Sequence, residues 1–236
     1  MIRIAILISG RGSNMLRLAD VVADMPDEAR IVLVAANTNC DGLDSAAARG
    51  MPTRLVDRRD FADRSSHEAA LADSIETAGA DWVLLAGYMA ILSADFVTRF
   101  QGRIINIHPS LLPDLKGLDT HARALAAGHT QHGATVHVVT PALDDGPIIL
   151  QAALTITGAE TEAQLAARVL RLEHALYPFV IMALARNVLH IADGQPRWLQ
   201  GAAALQATGS AIGGVLNGAV IWPSDTISNA GDTGQF

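Results

Sequence analysis

Asn106-Ile107-His108-Pro109-Ser110-Leu111-Leu112-Pro113 and, further along, Leu143-Asp144-Asp145-Gly146-Pro147 set an amide, an imidazole and a carboxylate on otherwise apolar ground. Such a trio suits acyl transfer to an amine. As the nitrogen attacks, a carbonyl oxygen gains negative charge, which amide and imidazolium N–H donors can hold. A carboxylate beside the imidazole favours the charged ring and can relay the proton that the amine loses. Taken singly, His108 equally fits a core histidine with both ring nitrogens satisfied, and Asp144 fits a turn.

The elements that must position these groups show in the patterning. Short apolar runs alternate with longer helical patterns, the signature of a parallel sheet with helices on its faces. Strands are predicted at residues 2–8, 31–36, 82–86, 104–107 and 135–139, with a further one at 148–152. Helices are predicted after Gly12, near Asp41, near Ser65 and near Leu118, and the longest over residues 161–185. In that helix Thr161 can cap the first turn, and Leu165, Val169, Leu172, Leu176 and Val180 recur at helical spacing. Arg168, Arg171 and Glu173 are then expected off the buried stripe, with Glu173 free to face a ligand.

Gly10-Arg11-Gly12-Ser13-Asn14-Met15 follows a strand and opens a helix, where free backbone N–H groups and the helix dipole can hold an anion. The run is not a dinucleotide fingerprint, because Met15 replaces the third glycine. It lacks the Gly-Lys-Ser/Thr ending of a Walker loop. A bare glycine turn is the alternative.

Composition narrows the function classes. A chain of 236 residues that is 50% hydrophobic can bury one substantial core, read as one domain over residues 1–200 and a tail over 201–236. The net charge of -7, with Lys116 the single lysine, disfavours nucleic-acid binding, which needs clustered cations. One cysteine, Cys40, leaves no internal disulfide and fits a reducing cytoplasm. The eight histidines form no HxxxH or HExxH pair, so no metal is expected. Residues 1–9 read as a buried first strand rather than a signal peptide. Residues 201–222 carry no charge. Their glycines and polar residues make a membrane helix less fitting than a disordered or loosely docked tail.

The run over residues 106–113, Gly117-Leu118-Asp119-Thr120-His121 and the run over 143–148 together resemble the signature of the folate-dependent formyltransferase family. Ser9-Gly10-Arg11-Gly12-Ser13-Asn14 and Glu173-His174-Ala175-Leu176-Tyr177-Pro178 extend the match toward the branch acting on glycinamide ribonucleotide. The resemblance runs from residue 1 to about residue 200, with the motifs in the family's order and spacing.

The resemblance implies an α/β fold, a mostly parallel twisted sheet with helices on both faces, Rossmann-like, as a single domain plus C-terminal tail. It implies a ribonucleotide-binding half over residues 1–100 and a folate-binding and catalytic half over 101–200. The implied reaction moves a formyl group from 10-formyltetrahydrofolate, a co-substrate, to the amine of glycinamide ribonucleotide in purine synthesis. The implied enzyme is cytoplasmic, a monomer or homodimer, with small-molecule partners and neither nucleic acid nor membrane.

Residue by residue, the resemblance implies that Asn106 and His108 polarise the formyl oxygen while Asp144 keeps His108 cationic and accepts a proton through water. It places the substrate phosphate on Arg11, Gly12, Ser13 and Asn14, and Glu173 near the ribose. Met89, Ala90, Ile91, Leu92, Val97, Thr140 and Asp144 would line the folate pocket. Arg64 would approach the folate glutamate, a surface arginine being the alternative. Thr135 and His137 would lie near the substrate, although His137 equally fits a buried polar residue. The Leu112-Pro113 bond is cis in the family, whereas sequence alone would make it trans.

Some positions depart from the family pattern. Ala90 stands where a basic residue is frequent, Asp114-Leu115-Lys116 replaces a basic-aromatic lead into Gly117, Asp119 replaces a histidine, and Leu170 offers no polar group to a phosphate. The competing expectations are a formyltetrahydrofolate hydrolase, a formyltransferase for another amine, and a folate-binding protein without turnover.

Overall fold

The computed structural model describes residues 1–199 and 220–221. The sequence reading of the 201–236 tail falls outside these residues except for the short strand at 220–221.

β1 (Ile2–Ile8) leads through α1 (Ser13–Ala23) to β2 (Ala29–Ala36), and α2 (Asp41–Ala48) leads to β3 (Thr53–Leu55). Next come α3 (Arg64–Thr77), β4 (Trp82–Leu85), α4 (Ala94–Arg99) and β5 (Ile104–His108). α5 (Thr120–Ala126), β6 (Gln131–Val138), β7 (Ile148–Thr155) and α6 (Glu162–Ala185) complete the main layers. The hairpin β8 (Leu189–Ala192) and β9 (Gln195–Trp198) follows, and β10 (Val220–Ile221) pairs with the edge of β7.

The eight-stranded sheet has the order β10-β7-β6-β5-β4-β1-β2-β3. β1 shows why helices cover both faces. Its alternate residues Ile4, Ile6 and Ile8 join a core with α1 and α6, whereas Ala5 and Leu7 join a second core with α3 and α4. A strand buried on both faces must be apolar, and β1 is so over its buried part, Ile4 to Ile8.

The expected mostly parallel sheet is borne out: β3, β2, β1, β4 and β5 pair parallel, and β6, β7 and β10 add an antiparallel flank. For the β6–β7 pair the cause is connection length. Residues 139–147 join β6 to β7, too few for the crossover of a dozen or more residues that a parallel pair needs. That short return carries Asp144.

β1 is flanked by β2 on one side and β4 on the other, so successive connections leave its carboxyl end in opposite directions. In open α/β sheets ligands bind at such a switch point. Here the loops after β1 and β4 are joined directly, Ser9 N donating to Gly87 O at 3.1 Å.

α6 runs as predicted, with a capping box between Thr161 and Gln164. Its burial is broader than one stripe, because it packs against α1, β6 and β7. Among the described residues no helix is long and apolar enough to cross a membrane, and no group of three or more His, Cys, Asp or Glu is placed to hold a metal ion.

Candidate active site

β5 carries Asn106 and His108 on one face, and its antiparallel register sets His137 opposite Asn106 and Thr135 opposite His108. These four side chains therefore come together because two strands pair, not because they are close in sequence. His137 Nδ1 donates to Val138 O at 3.0 Å, which leaves Nε2 to accept from Asn106 Nδ2 at 3.1 Å. Burial pushes this imidazole below the usual histidine range, which agrees with a neutral ring. His137 thus fixes the Asn106 amide and leaves its second N–H for another acceptor.

His108, buried, has Nδ1 3.4 Å from Asp144 Oδ2, and its Nε2 donates to Leu115 O at 3.0 Å. Both ring nitrogens face oxygen acceptors, a pattern that an imidazolium with two N–H donors satisfies. Asp144 in turn accepts from Gly117 N at 2.9 Å. Leu115 and Asp144 both hold the left-handed backbone conformation, φ 57° and 47°. Such residues cost on the order of 1–3 kcal/mol and persist only where their surroundings fix them. Here the contacts to His108 and Gly117 supply that constraint.

The turn after β5 is held from below. Thr135 Oγ1 donates to Ser110 O at 2.7 Å and accepts from Leu112 N at 3.1 Å. Gln151 Nε2 donates to Leu112 O at 2.8 Å and to Thr135 Oγ1 at 2.9 Å. The Leu112-Pro113 bond is cis. Sequence reading placed Thr135 near the site but missed Gln151, Leu115 and Gly117; the last two act through backbone atoms, which no residue type announces.

A cavity of about 550 Å³ opens over the trio. Asn106, His108 and Asp144 line it together with Met89, Ala90, Ile91, Leu92, Val97 and Thr140. All the predicted folate-side residues except Arg64 are thereby brought together. Met89, Ile91, Leu118 and Leu143 are exposed apolar side chains at this cavity. Arg64 is not a free surface arginine: Nη2 donates to Ile91 O at 2.6 Å and Nε to Glu68 Oε1 at 2.8 Å. Buried Glu68 also accepts from Ser93 N at 3.1 Å and from Ser93 Oγ, so one carboxylate ties Arg64 to the cavity wall.

Arg11, Gly12, Ser13, Asn14 and Glu173 do not line this cavity. Asn14 of α1 meets Glu173 of α6, and Arg11, Gly12 and Ser13 directly precede Asn14 at the start of α1. Gly12 is the N-cap of α1 with φ 72°, and no side chain caps the first turn, which leaves N–H groups for an anion. A Cβ on Gly12 would come within 2.9 Å of Met15 Cε and 3.3 Å of Gly42 Cα, so the position requires glycine.

Glu173 corrects the sequence expectation. It is only 8% exposed rather than off the buried stripe, and Asn14 Nδ2 donates to its Oε2 at 2.6 Å. Burial pushes its carboxyl up to about 7, against the opposing pull of the Asn14 hydrogen bond. The broad contact of α6 with α1 buries what a single-stripe reading left exposed.

Comparison with known proteins agrees with this architecture. Residues 2–181 match the formyl transferase family. The chain is 39% identical over 199 residues to "Phosphoribosylglycinamide formyltransferase" of Escherichia coli, covering 84% of this chain and 93% of that protein. It is 42% identical over 190 residues to "Trifunctional purine biosynthetic protein adenosine-3" of Drosophila pseudoobscura pseudoobscura, a match over 79% of this chain that spans only 14% of the longer protein. The crystal structure of glycinamide ribonucleotide transformylase 1 from Symbiobacterium toebii superposes with a TM-score of 0.79 at 38% identity, covering 84% of this chain and 94% of that one. With the family match running through the first strand, the trio and most of α6, the chain belongs to the formyl transferase family.

Proposed function

We propose that this chain transfers the formyl group of 10-formyltetrahydrofolate to the amine of glycinamide ribonucleotide, a step of purine synthesis. The observation that carries the reading is His108 held between Asp144 and the Leu115 carbonyl at the wall of the 550 Å³ cavity. The likeness to the Escherichia coli enzyme over 93% of its length supports the choice of acceptor.

In this reading the formyl oxygen takes the place of Leu115 O as acceptor of the His108 Nε2 proton, and the free N–H of Asn106 is its second donor. The amine lone pair forms the new C–N bond while the carbonyl π pair moves to oxygen. The pair returns as the bond from carbon to folate N10 breaks. The amine loses a proton, through water, to Asp144, and the same relay returns one to N10, so that the transfer is balanced. Donors already aimed at the developing charge need no reorganisation as it forms.

Arg11, Gly12, Ser13 and Asn14 hold the substrate phosphate, and Glu173 accepts from ribose hydroxyls. Met89, Ala90, Ile91, Leu92, Val97 and Thr140 enclose the folate ring system, with Arg64 toward its glutamate. Thr135 and His137 support the trio. The binding roles cross the proposed halves, since residues 89–97 lie on the folate side and Glu173 on the ribonucleotide side. We further assign residues 1–200 as the catalytic domain, acting in the cytoplasm on small molecules without a metal, as monomer or homodimer.

A spectrophotometric assay with a 10-formyl folate, with and without glycinamide ribonucleotide, tests this. Tetrahydrofolate release that requires the ribonucleotide is expected. Release without any amine would make the chain a hydrolase instead.

A further inference from the structure

The backbone groups of β7 alternate in direction. Ile156 N donates to Thr130 O at 2.9 Å, and Ala152 O turns to Gly133, where a Cβ would stand 2.0 Å from it. Residues 152 and 156 therefore bond toward β6. By the alternation of an antiparallel ladder, Gln151 and Ala153 turn their N–H and C=O groups outward, away from β6. An outer edge of this kind leaves donors and acceptors without partners unless something covers it.

Two groups from the C-terminal part of the chain cover it. The β6–β7 register shifts between Val136 and His137 and leaves Ile149 out of the ladder with β6; buried Trp198 donates from Nε1 to Ile149 O at 3.0 Å. β10 covers the next outward residue, with Ile221 opposite Gln151 and Val220 opposite Ala152. Val220 also packs, partly buried, against the main core. Both contacts come from beyond residue 181, where the family match ends.

Gln151 is the residue whose amide supports the turn after β5, donating to Leu112 O at 2.8 Å and to Thr135 Oγ1 at 2.9 Å. A glutamine amide stands at the end of a flexible side chain, so it meets two acceptors at once only from a fixed backbone. That backbone is held from two sides, by Thr135 of β6 and by Ile221 of β10.

We propose that β10 is a positioning element of the active site: the pairing of Ile221 with Gln151 fixes the backbone from which the Gln151 amide reaches Leu112 O and Thr135 Oγ1. Through that turn the C-terminal segment acts on the aim of His108, without touching substrate. The turnover readout below rests on the formyl-transfer reading above, whereas the pairing itself does not.

The test joins hydrogen exchange to a double-mutant cycle, both in the full chain. Ile221→Pro removes the N–H that faces β7 and breaks the pairing, whereas Ile221→Val keeps it. The Gln151 amide is expected to exchange at least about tenfold more slowly in the wild type than in Ile221→Pro. Ile221→Pro is expected to lower the turnover number about three- to tenfold with KM within about twofold, and Ile221→Val to leave both within about twofold. In a Gln151→Leu background Ile221→Pro is expected to add less than about twofold, because both changes act on one support. A Gln151 amide that exchanges freely in the wild type would overturn the proposal, whether or not the proline variant folds. So would wild-type turnover in Ile221→Pro, or an equal proportional loss in the two backgrounds. Absence of formyl transfer by the wild type would overturn the reading of the reaction and leave hydrogen exchange to decide the role of β10.

Discussion

Asp144 faces His108 with an oxygen that the polypeptide has already anchored: Oδ2 lies 3.4 Å from His108 Nδ1 and accepts the Gly117 N–H at 2.9 Å. Leu115, two residues before Gly117, meets the other ring nitrogen through its carbonyl. One short segment therefore holds both the imidazole and its carboxylate. The ring cannot turn without breaking a contact on one side or the other.

Asp144→Asn keeps the side chain's shape but removes its charge and its capacity to take a proton. The turnover number is expected to fall roughly 100- to 10,000-fold, the range for loss of a positioned acid–base group. The Gly117 N–H can still find an amide oxygen, so the melting temperature is expected to stay within a few degrees. Steady-state kinetics beside a thermal melt would check both, and wild-type turnover would remove Asp144 from the mechanism.

Glu173 gives a pH dependence whose sign follows from burial. Its folded pKa of about 7 lies above the ordinary 4.5, so between these values the folded chain holds a proton that the unfolded chain has released. Stability therefore falls as pH rises from 4.5 to 7, by about 3 kcal/mol, and levels off above it. Glu173→Gln removes this term and is expected to raise the melting temperature at pH near 8 relative to the wild type, with little difference near pH 5. Ribonucleotide affinity should move oppositely, because only the carboxylate is an acceptor at both oxygens. Melts and titrations at the two pH values separate the effects.

Much of the site was legible because it depends on residue type and period. The strand over residues 2–8 and the capped helix from Thr161 follow from apolar runs and helical spacing. His108 and Asp144 stand out through the run of motifs that resembles the formyltransferase signature, since singly each fits a core histidine or a turn. What escaped depends on three-dimensional approach. Nothing at Leu115 marks its carbonyl as the partner of His108, and Gln151 is one glutamine in an apolar strand until the β6–β7 register sets it opposite Thr135. The β8–β9 hairpin did carry a signal: Asp193-Gly194, both at positive φ (52° and 74°), is the turn pair that joins tightly twisted strands.

Gly146 shows how closely the return between β6 and β7 is packed. A Cβ there would stand 1.7 Å from Val138 O, a contact that only a backbone shift relieves. Gly146→Ala is expected to lower stability by about 2–4 kcal/mol and to displace Asp144, two residues earlier. Denaturant unfolding combined with kinetics should show both losses together; an unchanged midpoint would mean that the return has more freedom than its packing indicates.

His132 is buried against His121, with Nε2 3.1 Å from His121 Nδ1, and burial pulls its pKa down to about 4. The unfolded chain takes up a proton near 6.5 that the folded chain refuses until about 4. Stability is then full above 6.5 and is lost as pH falls through that window. Because His121 belongs to α5, the first region to open should include residues 120–132. His132→Gln, which keeps an amide beside His121 without the titration, is expected to flatten the acid limb of a stability-against-pH curve. Hydrogen exchange near pH 5 should show stronger protection of α5 in the variant than in the wild type.

Gln151 tests whether the turn after β5 needs its support. Its amide is shared between Leu112 O and Thr135 Oγ1 at 2.8 and 2.9 Å, and Thr135 passes the constraint on to Ser110. Gln151→Leu fills similar volume but leaves the Leu112 carbonyl without its donor, at a cost of about 1–3 kcal/mol. The same turn delivers Leu115 to His108, so loosening it frees the imidazole to leave the orientation in which Nδ1 faces Asp144. The expected result is a turnover number lower by about tenfold with the KM for ribonucleotide within about twofold, since an error in aim affects the charged transition state more than the bound substrate. Gln151→Glu would be worse than leucine, because it sets a second acceptor against a carbonyl. If instead both variants raise KM and leave the turnover number alone, the strand acts on binding and the aim of His108 is set by Asp144 and Gly117 alone.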